Sequence, residues 1–587
     1  MTNNPTPLEQ PREPAPISRR TFLSSAATAL STLGVNACRA QGNAQPAVAR
    51  ASASSTIGGI IDSLRRTIPR TMSRQDIPGL SIALVHDGVV VWTEGFGFTD
   101  QDRRVPVVPN TPFSVGSVSK SFTALAVLRA VEQELLSLDA PIQTYLPWLT
   151  VRSPAADPDA PLTLRHLLSH HSGLNTWAPV GNPYDAAYHT RSFDDVVRSS
   201  RDARLKFAPG ERFEYSNQGI DLAGAAVQAV RDTAFTATMR EHVLNPLGMM
   251  ASTFDQATVT SGPDYARPHS GRRAVAIRNG IVHPMLAAGG MVATASDLAR
   301  LIILHHNAGR IDGQSFISEP LFRAMCTPQY SAREQPTGYG LALYKAIEYG
   351  AVRYSHGGLG FGISAHYRWL PEQDFGVVVL TNQDSAHNAP ALAGEAVAVL
   401  LGPRPRASSP RGSVRADSGD LRMLAGTYLL YDGILETFLA DSASLYLLRG
   451  RDRLRMRAEG ENIFTYSGLR FTFVTSHDGT VRGVRITDPA YDVATTENSV
   501  LYLARNDGPT DSPGPGRAEW TALIGRYHST FIGAPTSAEL SVKNGHVYLN
   551  GSLRLTEAEP GLFTTADNED VRVDGRTLLA GNRRYVR

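Results

Sequence analysis

Phe113-Ser114-Val115-Gly116-Ser117-Val118-Ser119-Lys120 leads into a helical pattern carried by Phe122, Leu125, Ala126 and Leu128. The spacing predicts a helix over about 119–136. Residues three apart share a helix face, so Ser117 Oγ and Lys120 Nζ are expected to be neighbours. A serine hydroxyl is a weak nucleophile and needs a base beside it. A desolvated, neutral lysine can be that base, whereas an arginine keeps its proton. The composition gives this lysine weight. Of 57 basic residues only Lys120, Lys206, Lys345 and Lys543 are lysines, and only Lys120 has a serine three positions before it. A single short motif of this kind still arises readily by chance.

Two further segments accompany it. Pro209-Gly210-Glu211-Arg212-Phe213-Glu214-Tyr215-Ser216-Asn217 leads into a helix expected over 221–231, and places a phenol and an amide on a turn. Tyr354-Ser355-His356-Gly357-Gly358-Leu359-Gly360 ends a strand, where glycines let a ligand approach bare backbone. Around these lies an alternating framework. An amphipathic helix is expected near 57–68. A hairpin follows, with 80–85 and 89–92 joined through His86-Asp87-Gly88. A helix is expected over 296–306 with Ser296 as its cap. Strands are expected near 351–356, 363–369 and 375–381, then a helix over 391–401. Strands at both ends with helices between them predict a mixed sheet whose terminal segments meet, beside a helical lobe.

Ser-x-x-Lys, Tyr-x-Asn and His-x-Gly, in that order, resemble the motif set of the serine β-lactamase and penicillin-binding superfamily. The chain is most similar to the branch holding class C β-lactamases, D-Ala-D-Ala carboxypeptidases, D-aminopeptidases and related esterases. Leu164-Arg165-His166-Leu167-Leu168-Ser169-His170-His171-Ser172-Gly173-Leu174, Asn245-Pro246-Leu247-Gly248-Met249 and Ala288-Gly289-Gly290-Met291 also match. The resemblance spans about 57–403. It implies an α+β catalytic domain, an antiparallel sheet with flanking helices plus a helical lobe, and no cofactor. It also implies site roles. Ser117 is the acyl-accepting nucleophile. Lys120 and Tyr215 share its proton, with the base left open between them. Asn217 binds the substrate carbonyl, while the backbone N–H groups of Ser117 and Leu359, beside Gly358, form the oxyanion hole. His356, where many relatives carry lysine, faces the substrate's far end or assists proton transfer. An imidazole mostly neutral near pH 7 weakens any demand for a substrate carboxylate. This favours peptidases, amidases or esterases over a dedicated β-lactamase. The other expectation is a non-catalytic binder of cell-wall fragments.

The stretch 404–418 reads as a linker. Beyond it short strands dominate and a repeat emerges. Gly426-Thr427-Tyr428 precedes Phe464 by the same distance that Gly525-Arg526-Tyr527 precedes Phe563. Leu454-Arg455 and Leu553-Arg554 occupy matching places. Two small antiparallel β-barrel-like modules are expected, at 419–505 and 518–587, with a second linker at 506–517. Catalytic domain plus two such modules resembles the three-domain arrangement of D-aminopeptidases.

The N-terminus reads as an address. Ser18-Arg19-Arg20-Thr21-Phe22-Leu23 before a modest apolar stretch resembles a twin-arginine export signal over 1–44, followed by a flexible lead at 45–56. Release as a periplasmic or secreted protein is expected, with a lipid anchor at Cys38 as the alternative. Residues 1–44 hold four arginines and two acids, so they carry the whole formal charge of +2. A neutral remainder offers nothing for nucleic acid. No apolar run is long enough to cross a membrane. Cys38 and Cys326 cannot build a disulfide framework. His166 and His170, four apart, lack further ligands and are read as scaffold rather than metal site. His305 and His306 are expected to be exposed at a helix end, and Cys326 to be a core thiol.

Overall fold

The computed structural model describes residues 47–487 and 520–586, apart from 403–417 and a number of shorter stretches. The expected signal with Cys38, and both linkers except Ser418, lie outside the described residues. Helix α1 runs from Ala47 to Gln75. It therefore takes in most of the 45–56 stretch read above as a flexible lead. Alanine loses no side-chain freedom in a helix, so an Ala- and Ser-rich lead can extend one already fixed by packing. Ile57, Ile60, Leu64 and Ile68 form its buried stripe.

Strands β1 (Gly79–His86) and β2 (Val89–Gly97) form the expected hairpin. Asp87 and Gly88 both take positive φ, 52° and 71°. That is the requirement of the two-residue turn whose twist matches paired strands. The helices follow: α2 (Ser119–Glu132), α3 (Leu164–Leu168), α4 (Asn217–Arg231), the short α5 (Leu286–Gly289) and α6 (Ala295–His306). The chain then returns to the sheet through β3 (Gly338–Tyr339), β4 (Tyr344–Glu348), β5 (Ala351–Gly360), β6 (Ile363–Leu370) and β7 (Phe375–Thr381), and closes with α7 (Asn388–Leu401). The seven-stranded order is β3-β4-β5-β6-β7-β1-β2. The terminal segments meet where β1 pairs with β7, Ile82 opposite Val379. Every pairing in this sheet is antiparallel, so the sheet is not mixed. Hairpin connections between successive strands leave no room for the crossovers a parallel pair needs.

Period-two alternation divides the core in two. Leu80, Ile82, Leu84, Val377 and Val379 face a cluster shared with α1 and α7. Ala83, Val85, Val378 and Leu380 face the larger cluster of the helical side. With both faces covered, β1 and β7 read as near-continuous apolar runs. In the larger cluster α2 is buried almost throughout, from Phe122 to Leu128, because α4 and α5 flank it. Two local expectations change. Thr294, not Ser296, caps α6, its Oγ1 accepting from the Asp297 N–H at 3.0 Å. His305 is not exposed: only 1% of it is accessible. It shares the apolar stripe of Leu298, Leu301 and Ile302 and stacks on Trp369 at 5.5 Å. Cys326 lies in the same core.

The C-terminal part is built of small antiparallel sheets. Strands within 426–455 form one four-stranded sheet and strands within 457–487 another. Those within 525–586 form an eight-strand circuit closed by His528 opposite Val586. The described strands of the first module thus make two sheets rather than one closed ring. The repeat is nonetheless visible in detail. Tyr428 and Tyr527 each donate to the carbonyl four residues earlier, Leu424 and Leu523, both at 2.7 Å. Ala458/Gly460 and Glu557/Glu559 carry matching register shifts. Phe464 and Phe563 are both buried in their own cores.

Candidate active site

Ser117 sits in a single helical turn, Gly116–Val118, at the mouth of α2. Two hydrogen bonds fix this turn. Ser119 Oγ donates to the Gly116 carbonyl at 2.6 Å and accepts from the Met291 N–H at 3.0 Å. The Ala-Gly-Gly-Met segment is therefore the rear brace of the turn that carries Ser117. Lys120, one helical turn on, places Nζ 2.9 Å from Ser117 Oγ and donates to the Ala288 carbonyl at 2.6 Å. It is wholly buried. Burial disfavours the ammonium and pulls its pKa down to about 7, against a smaller opposing pull from Asp221. A lysine in that range can both take and return a proton near neutrality.

Tyr215 completes the trio. Its hydroxyl is hydrogen-bonded to Ser117, and burial pushes its pKa well up despite that bond. Lys120 Nζ lies 4.9 Å from the Tyr215 ring centroid. The turn carrying Tyr215 is held at the start of α4. Ser216 caps the helix, accepting from the Gly219 N–H at 2.9 Å, and its own N–H donates to His170 Nδ1 at 3.1 Å. The His170 ring packs 4.2 Å from Tyr215. The two scaffold histidines thus separate in role. His170 supports Tyr215, whereas His166 stacks on Tyr330 at 4.9 Å and bonds Thr163. Among the described residues no group of three or more His, Cys, Asp or Glu is placed to hold a metal. Asn217, the first residue of α4, lines the same cleft as Ser117.

Strand β5 supplies the opposite wall. A Cβ on Gly358 would fall 1.9 Å from the Val115 carbonyl oxygen and 3.0 Å from the Ser117 nitrogen. Bare backbone is what lets β5 lie against the nucleophile turn. A Cβ on Gly116 would in turn meet the Leu359 nitrogen at 3.3 Å. The Ser117 and Leu359 amides therefore lie near one another, on two residues that both line the cleft. Gly358→Ala is expected to push β5 off this turn. The expected loss in kcat is about tenfold or more, following the usual 1–3 kcal/mol penalty for overpacking a filled site. Steady-state kinetics with unchanged circular dichroism would check it.

His356, expected to face the substrate's far end or to assist proton transfer, is held within the wall of the site. It is only 1% exposed. Its Nδ1–H donates to the Gly357 carbonyl at 2.7 Å, which leaves Nε2 to accept from Tyr339 Oη at 2.9 Å. Burial, helped by Lys120 nearby, lowers its pKa to about 3. His356 is thus a neutral, fully bonded part of the wall. The cleft itself is lined by Ser117, Trp177, Asn217, Gln256, Met285, Leu359 and Ile363 among others, and no charged side chain is among its described lining.

Three site residues escaped sequence reading. Asp221, one turn beyond Asn217, is buried and its Oδ1 accepts from the Ala288 N–H at 2.9 Å. An acid on the inward face of an otherwise apolar helix was the available signal. His170 was hidden inside a scaffold motif. Tyr339 had no local signal, since its partner His356 is reached only through strand pairing.

A family model for beta-lactamase matches residues 64–401, more than half of the chain. The chain belongs to the beta-lactamase family. This beta-lactamase-family protein is 30% identical over 197 residues to protein flp of Staphylococcus aureus strain MW2, covering 34% of this chain and 39% of that one. The match thus spans about two fifths of that relative's length. It is 27% identical over 336 residues to the D-aminopeptidase of Gluconobacter oxydans strain 621H, covering 55% of this chain and 59% of that protein. Among solved structures, the octameric penicillin-binding protein homologue from Pyrococcus abyssi has a TM-score of 0.51 at 25% identity, covering 75% of this chain and 99% of that one. The SurE crystal structure has a TM-score of 0.56 at 22% identity, covering 76% and 100%. The latter bears on the fold alone.

Proposed function

We propose that the protein is a serine hydrolase working through an acyl-serine intermediate, most suited to small peptides or amides in the manner of a D-aminopeptidase or D,D-carboxypeptidase. The observation that carries this reading is the Ser117–Lys120 pair, 2.9 Å apart, with the amine fully buried and held near neutrality. In the forward step Ser117 Oγ bonds to the substrate carbonyl carbon as its proton passes to Lys120, with Tyr215 hydrogen-bonded to the same oxygen. The carbonyl oxygen gains charge between the Ser117 and Leu359 amides, and Asn217 orients the substrate. Return of the proton to the leaving group frees it, and water then hydrolyses the ester. A carboxylesterase is the second reading, favoured by the uncharged described lining and the neutral His356. The described walls offer no ion pair to a substrate carboxylate or ammonium.

Intact-mass measurement after incubation with a fluorophosphonate and with a β-lactam tests the acyl-serine reading. One adduct on Ser117 is expected, and no adduct with any probe would leave a binder of cell-wall fragments. Parallel assays of D-amino acid amides, D-Ala-D-Ala peptides and p-nitrophenyl esters then separate the two hydrolase readings. The domain plan belongs to the same proposal: catalytic domain at 57–403 and two repeated barrel-like modules that shape access to the cleft. So does export by the Arg19-Arg20 signal to the periplasm or beyond, which cell fractionation of the full chain checks. No helix among the described residues is long and apolar enough to cross a membrane.

A further inference from the structure

Behind Lys120 lies a buried carboxyl that the proton transfer above does not use. Asp221 is 2% exposed. Its Oδ1 accepts from the Ala288 N–H at 2.9 Å, and Lys120 Nζ donates to the carbonyl of the same residue at 2.6 Å. Residue 288 is thus held from both sides, by the acid and by the amine. Among the described residues, Asp221 Oδ2 is buried with no hydrogen-bond partner within bonding geometry. A buried carboxyl with a spare oxygen is costly to maintain, which calls for an explanation beyond packing.

We propose that Asp221 is a positioning residue for the reaction: its carboxylate is the counter-charge that stabilises the Lys120 ammonium formed when Ser117 gives up its proton, and its bond to Ala288 fixes the carbonyl that aims the amine. The inference rests on the acyl-serine reading above. The neighbourhood leaves this part to Asp221. Around Lys120 stand Ser117, Tyr215, His170 and His356, from the nucleophile turn, the approach to α4, the segment after α3 and strand β5. Burial keeps both tyrosine and histidines uncharged: Tyr215 is pushed up, and His170 and His356 are pushed down. Against Asp221 stand Lys120, the Ala287 and Ala288 amides and Tyr188, whose pKa burial also raises. Glu214 is already paired with Lys206. Among the described groups facing the amine, Asp221 is therefore the one that can hold a negative charge beside it. Burial raises its own pKa to about 7, so acid and amine titrate as a coupled pair.

The sign of the effect follows. A carboxylate near Lys120 favours the ammonium and raises the lysine pKa. Removing it lowers that pKa, makes the amine a weaker base, and moves the acid limb of kcat/KM to lower pH. The experiment measures the rate of fluorophosphonate labelling of Ser117, and kcat/KM on the best substrate, from pH 5 to pH 9. Asp221→Asn keeps the shape and the acceptor for Ala288. It is expected to shift the acid limb down by about one unit or more and to cut the plateau rate by roughly tenfold, with KM little changed. Asp221→Ser, which leaves an acceptor and no charge, carries the same expectation if the amide cannot be housed. An unshifted limb in a folded variant overturns the inference even if its activity falls, because a merely structural acid would not move it. Parent protein that never labels on Ser117 overturns both this inference and the reading beneath it. A parent that labels while the variants keep the parent profile overturns this inference alone.

Discussion

Ser117→Ala is expected to lower turnover by roughly four orders of magnitude or more while leaving the fold and substrate binding nearly intact. The size follows from what is removed. In the proposed route the hydroxyl oxygen is the atom to which the acyl group bonds, so no partial substitute exists for the covalent step. What survives is the pair of amides at Ser117 and Leu359 and the grip of Asn217, which can bind and polarise a carbonyl but cannot accept the acyl group. KM should therefore move much less than kcat. The substitution should be mild for stability, since Ser117 lies in a turn held by Ser119, not by its own side chain. Two measurements check it: kcat by steady-state assay, and intact mass after fluorophosphonate, where the adduct should vanish. Retained turnover in the alanine variant would remove Ser117 from the reaction.

Much of this site could be expected from sequence because its parts are short local motifs whose order resembles that of the family. Ser117 and Lys120 are one helical turn apart. Tyr215 and Asn217 flank a helix cap, and Gly358 and Leu359 follow one another on a strand. Each pair has a fixed spacing that follows from the geometry of a single element. The same holds for the hairpin at Asp87-Gly88. What could not be read depended on distant contacts. That the terminal segments meet was expected, but the register that joins β1 to β7, residues nearly three hundred positions apart, is named by neither strand's pattern. The orientation of His356, expected to face substrate or to assist proton transfer, is set by Tyr339 on a neighbouring part of the sheet. His305 was misplaced because a histidine was weighed as polar, while its position on the apolar stripe of α6 decided its burial. Asp221 was passed over because its meaning lies in Ala288, a residue of another helix.

Lys120→Arg is expected to be nearly as damaging as loss of the nucleophile, with kcat/KM down by about 10² to 10⁴ although the charge is conserved. In the parent, burial holds the Lys120 pKa near 7, so the free amine needed to deprotonate Ser117 is present above that pH and lost below it. Activity should therefore rise with pH through about 7. A guanidinium keeps its proton across the whole range, so the variant should show no such limb and only a low, flat residue of activity. It also places a larger charged group where only one serine oxygen and one carbonyl await it, which is why a second variant is needed. Lys120→Met removes the amine without burying a charge. It avoids the desolvation cost of a buried amine but leaves the Ala288 carbonyl and the Asp221 carboxyl without their partner, so thermal unfolding is expected somewhat below the parent temperature. If Lys120→Met remains folded by circular dichroism at the assay temperature and is as inactive as the arginine variant, the loss belongs to proton transfer rather than to packing. Near-normal kcat in either variant would take the base role from Lys120 and leave it to Tyr215, whose raised pKa makes the phenolate a rare species at neutral pH. The tyrosine and lysine roles are thereby separated by one pH profile, because of the two only the lysine, coupled to Asp221, titrates where the enzyme would work.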